Sequence, residues 1–552
     1  MIKRLLSKKI LLLLILLLAG ILRFYKLGEV PPGLSWDEAA QGYNAFALAT
    51  TGKDEFGRNW PLDYLESFGD FKPVLYTYSA IIPVKIWGLN EFSTRFPSAL
   101  AGILTVLITY LLVKQLFKSH ELTRIQTRID TNTLALLSAF FLAISPWHIN
   151  LSRAAWEANI GLFLVVLGIY LLLRGLNGEG ISFVLSAIPF AATFYTFNST
   201  RAFVPIFLLG MSLLYIREWR KYWKQGILFA GLFLLLLLPI LPHLFSPQAS
   251  LRFREVNIFS DLAPIEISNA RMAVDQNAWW SRLLHNRRWM FSLEFLRHYA
   301  DNLNLRFLFL HGDENPKFSI QDVGQLYLLD LPFFFIGIFL LIKKYRSAAK
   351  IVFLWLLIGI IPAATARETP HALRILQTLP TWQIVLAVGW LEIWQWLEVK
   401  KIGLIGLIGL IGLIGNFFWY FHHYYAHYPK EFAGEWQYGY KEAIDYIRTQ
   451  YSKYDRITFT DNLGRPYIYF LFYNAYPPAK FRQTTEIERN VFGFVTVKSF
   501  DKYIFGGLDI LKPVDGKKTL SVVSPQDMPK DKEAKQVIRL PDGEPVLDIY
   551  EN

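Results

Sequence analysis

The sequence predicts a polytopic α-helical membrane protein of about eleven transmembrane helices with a small α/β domain at its C-terminal end. Of its 552 residues, 53% are hydrophobic and 18% are charged, whereas soluble proteins carry about 25% charged residues. The apolar residues form runs long enough to cross a bilayer, which takes ~20 residues of helix. This composition excludes intrinsic disorder. The absence of cysteine excludes a disulfide-built module, thiol catalysis and cysteine-ligated zinc.

The first predicted span, Ile10–Leu22, follows a basic stretch, but no small-residue cleavage motif follows it. We therefore interpret it as a membrane span and not as a signal peptide. The other predicted spans lie near Ser98–Phe117, Thr133–Ile149, Ile160–Leu173, Ile181–Phe197, Ala202–Ile216, Gly226–Phe245, Leu326–Ile342, Ile351–Ala364, Leu376–Leu397 and Ile402–Phe421. The apolar stretch Val74–Gly88 is short and contains Pro83 and Lys85. It is typical of a helix that lies in the membrane interface.

The charges of the loops predict the orientation. With a cytoplasmic N-terminus, the inner segments are Met1–Ile10, Leu112–Asn132, Arg174–Gly180, Arg217–Gln225, Lys343–Lys350 and Glu398–Lys401. These six segments carry a net charge of +14, and the rest of the chain carries −2. Basic residues gather on the cytoplasmic side of membrane proteins, and counting Val74–Gly88 as a span would invert the pattern. The overall charge of +12 therefore reflects membrane orientation and gives no support to a nucleic-acid partner.

Three long segments are predicted on the outer side: 23–97, 246–325 and the tail 422–552. We therefore expect a transmembrane domain over 1–421 and a soluble extracytoplasmic α/β domain over 422–552. Within the tail, Glu435–Tyr451 has helical periodicity and Arg456–Asp461 alternates like a strand. Lys535–Tyr550 is typical of a hairpin across its Pro-Asp-Gly turn.

The first outer segment contains Ser35-Trp-Asp-Glu38, which opens a predicted helix. Ser35 and Glu38 match a capping box, a purely structural motif. Asp37 lies outside that motif, in the first helical turn, where the helix dipole favours an ionised carboxylate. An ionised carboxylate at a membrane surface is a candidate general base. Asp37 and Glu38 are therefore the candidate catalytic residues.

Farther along the same segment, Lys72 stands at the predicted start of the interfacial helix and Arg95 lies at the outer end of the second span. Lys72 is either an anchor that reaches the interface or the cation that holds a lipid phosphate. Arg95 lies on the side where the positive-inside trend does not place it, which favours a binding role.

More ionisable residues are predicted at other outer helix ends. Arg153 and Glu157 are spaced i,i+4 and could pair, and His371 and Arg374, spaced i,i+3, are expected on one helix face. Arg201 and Arg367 are further candidates for binding phosphate or sugar. A coupled transporter would place such residues at mid-membrane, whereas a site for an anionic lipid headgroup would place them at the outer leaflet.

The order of these motifs resembles a known family. Trp36-Asp-Glu-Ala39 is followed by Lys72-Pro-x-Leu-Tyr76, then by Gly88-x-Asn-Glu-Phe-x-x-Arg-x-Pro-Ser98, and later by Ser145-Pro-x-His148 and Pro370-His-Ala-Leu-Arg374. Over roughly residues 1–421 the chain is similar to GT-C membrane glycosyltransferases of family 39, which include protein O-mannosyltransferases and lipid A aminoarabinose transferases.

The resemblance implies an inverting glycosyltransferase that moves a sugar from a polyprenyl-phosphate donor to an acceptor hydroxyl on the outer face of the cell membrane. It implies that Asp37 is the base, that Glu38 supports it, that Lys72 contacts the lipid phosphate, and that Glu157 is a second acid. In the aminoarabinose transferase, a glutamate that ligates metal precedes this lysine. Phe71 stands there in this chain, so no metal and no other cofactor is predicted.

The acceptor class stays open, since protein, lipid and polysaccharide hydroxyls all fit the motifs. The alternative function is a transporter of a lipid-linked saccharide, which predicts internal repeats and charged residues at mid-span. A third possibility is a membrane anchor that presents the tail, but the tail resembles no catalytic motif. We expect the tail to help select the acceptor.

Overall fold

A computed structural model of the chain describes residues 7–118, 130–246, 249, 256–400, 402–489 and 495–552. Part of the predicted basic N-terminal segment, with Lys3 and Arg4, and part of the predicted inner loop, with Arg124 and Arg128, lie outside the described residues. The same holds for Lys401 and for part of the predicted outer segment 246–325.

The structure is mostly helical up to residue 422. The helices are α1 Lys8–Phe24, α2 Trp36–Thr51, α3 Leu75–Trp87, α4 Glu91–Leu116, α5 Thr131–Ile144, α6 Pro146–Ser152, α7 Glu157–Leu176, α8 Gly180–Leu185, α9 Ala187–Ala192, α10 Asn198–Leu214, α11 Ile216–Lys221, α12 Trp223–Leu237, α13 Leu241–Leu244, α14 Ala263–Val274, α15 Ser281–Leu284, α16 Arg287–Asp301, α17 Leu331–Lys344, α18 Arg346–Ala364, α19 Thr381–Val399, α20 Gly403–His422, α21 Tyr428–Glu431, α22 Tyr440–Gln450, α23 Pro466–Tyr473 and α24 Pro478–Thr484.

Three described helices, α4, α7 and α18, are long and apolar enough to cross a membrane. The helices α5 and α6 qualify together as a fourth span that is bent by 57°. Pro146 begins α6 and has no N–H to continue the hydrogen-bond ladder of α5, which explains the bend. The chain is thus an integral membrane protein.

The predicted count of about eleven spans is not confirmed, because several predicted runs form shorter or interrupted helices. The run predicted at Ile181–Phe197 is divided between α8, α9 and the 3₁₀ turn Thr193–Tyr195. The run predicted at Gly226–Phe245 is divided between α12 and α13. Length and composition therefore identify only three or four unambiguous spans among the described residues.

The strands are β1 Leu65–Ser67, β2 Asp70–Lys72, β3 Arg456–Thr460, β4 Glu486–Arg489, β5 Val495–Phe500, β6 Tyr503–Gly506, β7 Thr519–Val523, β8 Gln536–Arg539 and β9 Pro545–Glu551. The strands β1 and β2 form an antiparallel hairpin. The other seven form one sheet in the order β4-β5-β6-β3-β7-β9-β8, in which β3 runs parallel to both β6 and β7. The predicted helix, strand and hairpin of the tail are confirmed by α22, β3 and the antiparallel pair of β8 and β9.

The chain divides into two compact units. The first contains residues 1–22, 101–151 and 158–420, and the second contains 23–100, 152–157 and 421–552. The second unit therefore combines the first predicted outer segment, the link between α6 and α7, and the sheet domain.

The second unit has one hydrophobic core, to which α2 and the sheet domain both contribute. Leu34 and Tyr43 are buried in this core together with Tyr440, Phe459 and Val522. The α2 helix passes close to its neighbours at Gly42, where a Cβ atom would lie 2.5 Å from the Thr94 side chain and 2.6 Å from that of Phe472. The sheet domain thus fixes the position of α2, which carries both candidate catalytic acids.

Candidate active site

The start of α2 places the two candidate catalytic acids in one helical turn. Ser35 Oγ accepts a hydrogen bond from the Glu38 backbone N–H at 3.3 Å, and Glu38 Oε2 accepts one from the Ser35 N–H at 3.0 Å. The predicted capping box is therefore confirmed. The side chain of Glu38 is fully buried, whereas that of Asp37 is 36% exposed.

The buried carboxylate of Glu38 pairs with Arg95, which is also fully buried. Arg95 Nε donates to Glu38 Oε1 at 2.9 Å, and the Ala155 N–H donates to the same oxygen at 2.9 Å. The terminal nitrogens of Arg95 also donate to the carbonyl oxygens of Leu27, Pro31 and Gly33. Arg95 Nη2 also donates to Glu38 Oε2 at 3.3 Å. A guanidinium has five N–H groups, and these five hydrogen bonds occupy all of them.

Arg153 has a similar environment. It is fully buried and donates to the carbonyl oxygens of Arg23, Lys26 and Val30 at 2.9–3.2 Å and to the Tyr424 hydroxyl at 3.1 Å. Arg95 and Arg153 together hold the segment that leads from α1 to α2. In this structure backbone carbonyl oxygens accept most of the hydrogen bonds from these two arginines, and a contact of either one to substrate stays a prediction.

The partly exposed carboxylate of Asp37 forms an ion pair with Lys72. Lys72 was expected at the start of the interfacial helix, but it ends β2, and α3 begins only at Leu75. The β1–β2 hairpin positions the ammonium group, which also lies 5.4 Å from the centre of the Phe68 ring. A carboxylate and an ammonium group are therefore held together beside solvent.

Glu157 is the third member of this cluster. Gln41 Nε2 donates to Glu157 Oε2 at 3.0 Å, and the charges of Lys72 and Asp37 both act on the Glu157 carboxyl. The predicted i,i+4 pairing of Glu157 with Arg153 is wrong, because the chain is not helical between Ser152 and Glu157. The sequence analysis missed Gln41, although it follows Asp37 by four residues and so shares its helix face.

Lys72 follows Phe71, whose ring packs edge-on against Tyr64 with the centroids 4.9 Å apart. An apolar ring cannot ligate a metal ion. Within the described ranges, no group of three His, Asp or Glu residues is placed to hold one.

A buried acid that no sequence motif indicates lies just beyond the other end of α2. Glu55 Oε2 accepts a hydrogen bond from Asn44 Nδ2 at 3.3 Å, and the Glu55 N–H donates to Asn44 Oδ1 at 2.9 Å. Burial, with a smaller contribution from the charge of Asp54, raises the pKa of the Glu55 carboxyl to about 8. Glu55 is therefore largely protonated at neutral pH.

The remaining candidates belong to the first compact unit. Arg201 donates from Nε to the Phe194 carbonyl oxygen at 2.8 Å, and Arg367 donates to that of Asn257 at 3.2 Å. His371 and Arg374 do not share a helix face as predicted, because residues 371–375 form turns. Both instead approach the carboxylate of Glu368, at 3.9 and 3.4 Å.

Next to His371 lies a buried carboxyl. Asp313 Oδ2 is 3.9 Å from His371 Nδ1 and accepts a hydrogen bond from the Ala372 N–H at 2.6 Å. Burial raises the pKa of Asp313 to about 7 and holds the pKa of His371 well below its usual value. His371 is thus largely neutral near neutral pH, whereas Asp313 is about half protonated at pH 7.

The fold is that of the GT-C membrane glycosyltransferases. It matches the crystal structures of ArnT from Cupriavidus metallidurans, in the apo state and bound to undecaprenyl phosphate, with a TM-score of 0.56 and 12% sequence identity over 98% of this chain and 97% of ArnT. A structure of the Archaeoglobus fulgidus oligosaccharyltransferase with Zn and sulfate gives a TM-score of 0.50 and 13% identity over 85% of this chain and 61% of the other. At these identities the likeness concerns the fold alone.

At the sequence level, the family model described as dolichyl-phosphate-mannose-protein mannosyltransferase matches residues 71–245. The dolichyl-phosphooligosaccharide-protein glycotransferase 1 of Archaeoglobus fulgidus is 25% identical over 191 residues, 33% of this chain and 29% of the relative. YkcB of Bacillus subtilis, a mannosyltransferase by name, is 25% identical over 206 residues, 36% of this chain and 26% of the relative. The resemblance to family 39 glycosyltransferases is confirmed, although the chain aligns with less than a third of each relative.

Proposed function

We propose that this protein is a glycosyltransferase that moves a sugar from a polyprenyl-phosphate donor to an acceptor hydroxyl. The observation that supports the proposal most strongly is the ion pair of Asp37 and Lys72, a carboxylate and an ammonium group that lie together where the carboxylate reaches solvent. The family match over residues 71–245 begins just before Lys72. The ArnT structure with undecaprenyl phosphate supports a lipid phosphate as the donor carrier.

In the proposed reaction, the Asp37 carboxylate takes the proton of the acceptor hydroxyl. The acceptor oxygen forms a bond to the anomeric carbon while the bond from that carbon to the phosphate oxygen breaks. The bonding electron pair leaves with the phosphate, which becomes the free polyprenyl phosphate. Attack opposite to the leaving group inverts the anomeric configuration.

Lys72 has two partners in this scheme. Without donor its ammonium group neutralises Asp37, and with donor the phosphate competes for the same cation. A charge-assisted contact to the phosphate stabilises the negative charge that grows on the leaving group. Moving Lys72 toward the phosphate also frees Asp37 to accept a proton.

The neighbouring residues take supporting roles. Glu157 and Gln41 orient the acceptor beside Asp37, and Glu38 and Arg95 position α2 without touching substrate. Arg153 positions the segment before α2 in the same way. Arg201, His371 and Arg374 stay candidates for contacts to the phosphate or sugar of the donor.

The proposal includes a location and a topology. The protein lies in the cell membrane with about eleven spans, a cytoplasmic N-terminus, and an active site on the outer face. Residues 1–421 form the membrane domain, with α3 at the interface, and residues 422–552 form an extracytoplasmic domain. The transferred sugar is a hexose or pentose, and the acceptor belongs to a protein, a lipid or a polysaccharide.

A donor panel tests the proposal. Purified protein is incubated with polyprenyl phosphates that carry different sugars, and the release of free polyprenyl phosphate is measured for each donor. We expect one class of donor to be consumed. If donors bind but none is consumed, and reconstituted vesicles instead move the intact lipid-linked sugar, the protein is the transporter that the sequence left as the alternative.

A further inference from the structure

We infer that the sheet domain contains a binding site for a neutral saccharide, at the end of β3, and that this saccharide is the acceptor. The inference rests on the proposed function and gives its acceptor a chemical class and a location. It concerns residues of the second compact unit only.

The topology of the sheet defines the place. The strand β3 has β6 on one side and β7 on the other, and both run parallel to it. The chain leaves β3 toward the β6 side of the sheet and later crosses from β6 past β3 to β7, so the two connections run in opposite directions along the sheet. In sheets of this kind a crevice opens beyond the carboxyl ends of the strands at such a point, and ligands bind there. The loop 461–465 follows β3 at this position and leads into α23.

A cavity of about 240 Å³ lies at this point. Its lining combines two charged side chains, Asp461 and Arg465, with the aromatic rings of Phe68, Tyr467 and Phe505. Ligand sites are typically apolar and aromatic with a few polar groups that fix the orientation of the ligand. The composition of this cavity matches that description.

Ring faces hold the guanidinium of Arg465 in place. Its central carbon lies 4.1 Å from the centre of the Phe68 ring and 5.6 Å from that of the Trp36 ring. Stacking of this kind uses the faces of the guanidinium and leaves its in-plane N–H groups available for hydrogen bonds. The donors of Arg465 are thus oriented before a ligand arrives.

The two charged groups select the class of ligand. An ionised Asp461 only accepts hydrogen bonds, and Arg465 only donates them. A simple anion is repelled by Asp461 and a simple cation by Arg465. A group that both donates and accepts satisfies the two residues together, and neighbouring hydroxyls on a sugar ring do so, while the ring carbons pack on the aromatic faces.

The cavity is contiguous with the candidate active site. Trp36 directly precedes Asp37, and its ring packs on Gly464, where a Cβ atom would come within 3.1 Å of it. Gly464 also has φ +81°, which favours glycine. Phe68 has Arg465 over its ring and Lys72 5.4 Å from its centre. A sugar in the cavity therefore lies beside residues that flank Asp37 and Lys72.

The test uses the full-length protein and methyl glycosides of glucose, galactose, mannose and N-acetylglucosamine, with binding measured by saturation-transfer NMR titration. We expect at least one glycoside to bind the wild-type protein. We expect Arg465→Gln and Asp461→Asn each to weaken its binding by about tenfold or more, because each removes a charged hydrogen-bonding partner. The control Arg539→Gln changes an exposed arginine of the same sheet domain and should bind like wild type.

Inorganic phosphate is the competing probe. Displacement of the glycoside by phosphate, unchanged binding by Arg465→Gln, or no glycoside binding to the wild type would each overturn the inference. Thermal unfolding of every variant shows whether lost binding reflects lost folding, and Asp461→Asn gives a second reading if Arg465→Gln fails to fold.

Consumption of the polyprenyl-phosphate donor is measured in parallel. If the wild-type protein consumes no donor, the proposed function fails, whatever the glycosides do. If the wild type consumes donor and the two cavity variants still hydrolyse it while losing glycoside binding, both proposals are supported.

Discussion

Asp37 and Glu38 are neighbours in sequence and have opposite environments. The Glu38 carboxylate is fully buried, bound to Arg95 and to two backbone N–H groups. The Asp37 carboxylate is 36% exposed and has a lysine as its ion-pair partner. Arg95 is held by three backbone carbonyl oxygens, whereas Lys72 is a single ammonium group at the end of a two-stranded hairpin.

Under the proposed function, this difference assigns the two acids of one helical turn to separate roles: Glu38 stabilises the fold, and Asp37 takes part in the reaction. A buried, fully hydrogen-bonded ion pair is costly to break and cannot exchange partners readily. In the pair of Asp37 and Lys72 the carboxylate is 36% exposed and the lysine side chain 10% exposed, so a substrate phosphate can reach the pair from the Asp37 side. The two pairs predict different consequences of mutation, and the following experiments order them from the largest effect to the smallest.

Replacing Asp37 with Asn should abolish transfer while the protein stays folded. An amide cannot accept the proton of the acceptor hydroxyl, and loss of a general base costs about 10²–10⁴-fold in rate. The measurement is sugar transfer from the donor that the panel identifies. The control Asp70→Asn removes another acid of the same segment and should keep full activity. Turnover by Asp37→Asn at the wild-type rate would exclude Asp37 as the base.

Replacing Glu38 with Gln should instead reduce stability. It leaves the buried guanidinium of Arg95 without its counter-charge, which costs about 3–5 kcal/mol. The measurement is the apparent Tm of the purified protein. The control Glu29→Gln removes an acid that is 70% exposed and pairs with Lys26, and it should leave the Tm unchanged. A stable but inactive Glu38→Gln protein would show that Glu38 takes part in the reaction and does not act only by stabilising the fold.

Replacing Lys72 with Ala should weaken donor binding more than it slows the bound step. Loss of a charged contact to the phosphate lowers affinity by about tenfold to a hundredfold, and the measurement is the KM for donor compared with kcat. The control Lys85→Ala removes an exposed lysine of α3. An unchanged KM in Lys72→Ala would show that Lys72 is only an anchor at the interface.

Replacing Gln41 with Ala should produce a smaller loss. It removes the hydrogen bond that holds Glu157 beside Asp37. Burial raises the pKa of Glu157 to about 7, and a hydrogen bond between neutral side chains contributes about 0.5–1.5 kcal/mol. We expect transfer to fall by roughly tenfold with the Tm nearly unchanged. A large drop in the Tm would show that Gln41, like Glu38, mainly stabilises the fold.

Because of the raised pKa of Glu55, we expect the stability of the protein, but not its transfer rate, to depend on the protonation of this residue. Its pKa is raised to about 8 in the folded protein, so between about pH 5 and 8 the folded state holds a proton that the unfolded chain has released. Stability should therefore fall as the pH rises through this range. The measurement is the apparent Tm between about pH 5 and 8. The Glu55→Gln protein should lose the part of the Tm decline that Glu55 causes, whereas the exposed control Glu488→Gln should show the same decline as wild type. Parallel curves for Glu55→Gln and wild type would contradict the assignment.

The local signals of the site were readable in the sequence. The capping box of Ser35 and Glu38 depends only on residues three apart in one turn, and the Gly88–Ser98 motif and Lys72 stand near each other in the chain. The helix, strand and hairpin of the tail followed from periodicity and from a Pro-Asp-Gly turn. These features are decided by neighbours in the chain, so the sequence predicts them well.

Other features of the site depend on contacts between residues that are distant in the chain, which local rules do not predict. The spacing of Arg153 and Glu157 predicts a pair only if one helix contains both, and a break after Ser152 separates them. Arg95 and Arg153 carry the charge expected of substrate ligands, yet their partners are backbone carbonyls contributed by residues 23–33. Periodicity alone does not reveal which carbonyls a buried arginine will reach.

The sequence by itself determined a membrane-embedded helical chain, a C-terminal α/β domain and the acids and cations available for chemistry, because composition and short spacings control these features. Only the tertiary structure decided which of two adjacent acids is buried, that Gln41 joins Glu157 to α2, and that the Phe68 ring contacts both Lys72 and Arg465. Burial and long-range pairing set these outcomes, since the groups that distant parts of the chain bring to a carboxylate determine whether it is buried in an ion pair or reaches solvent.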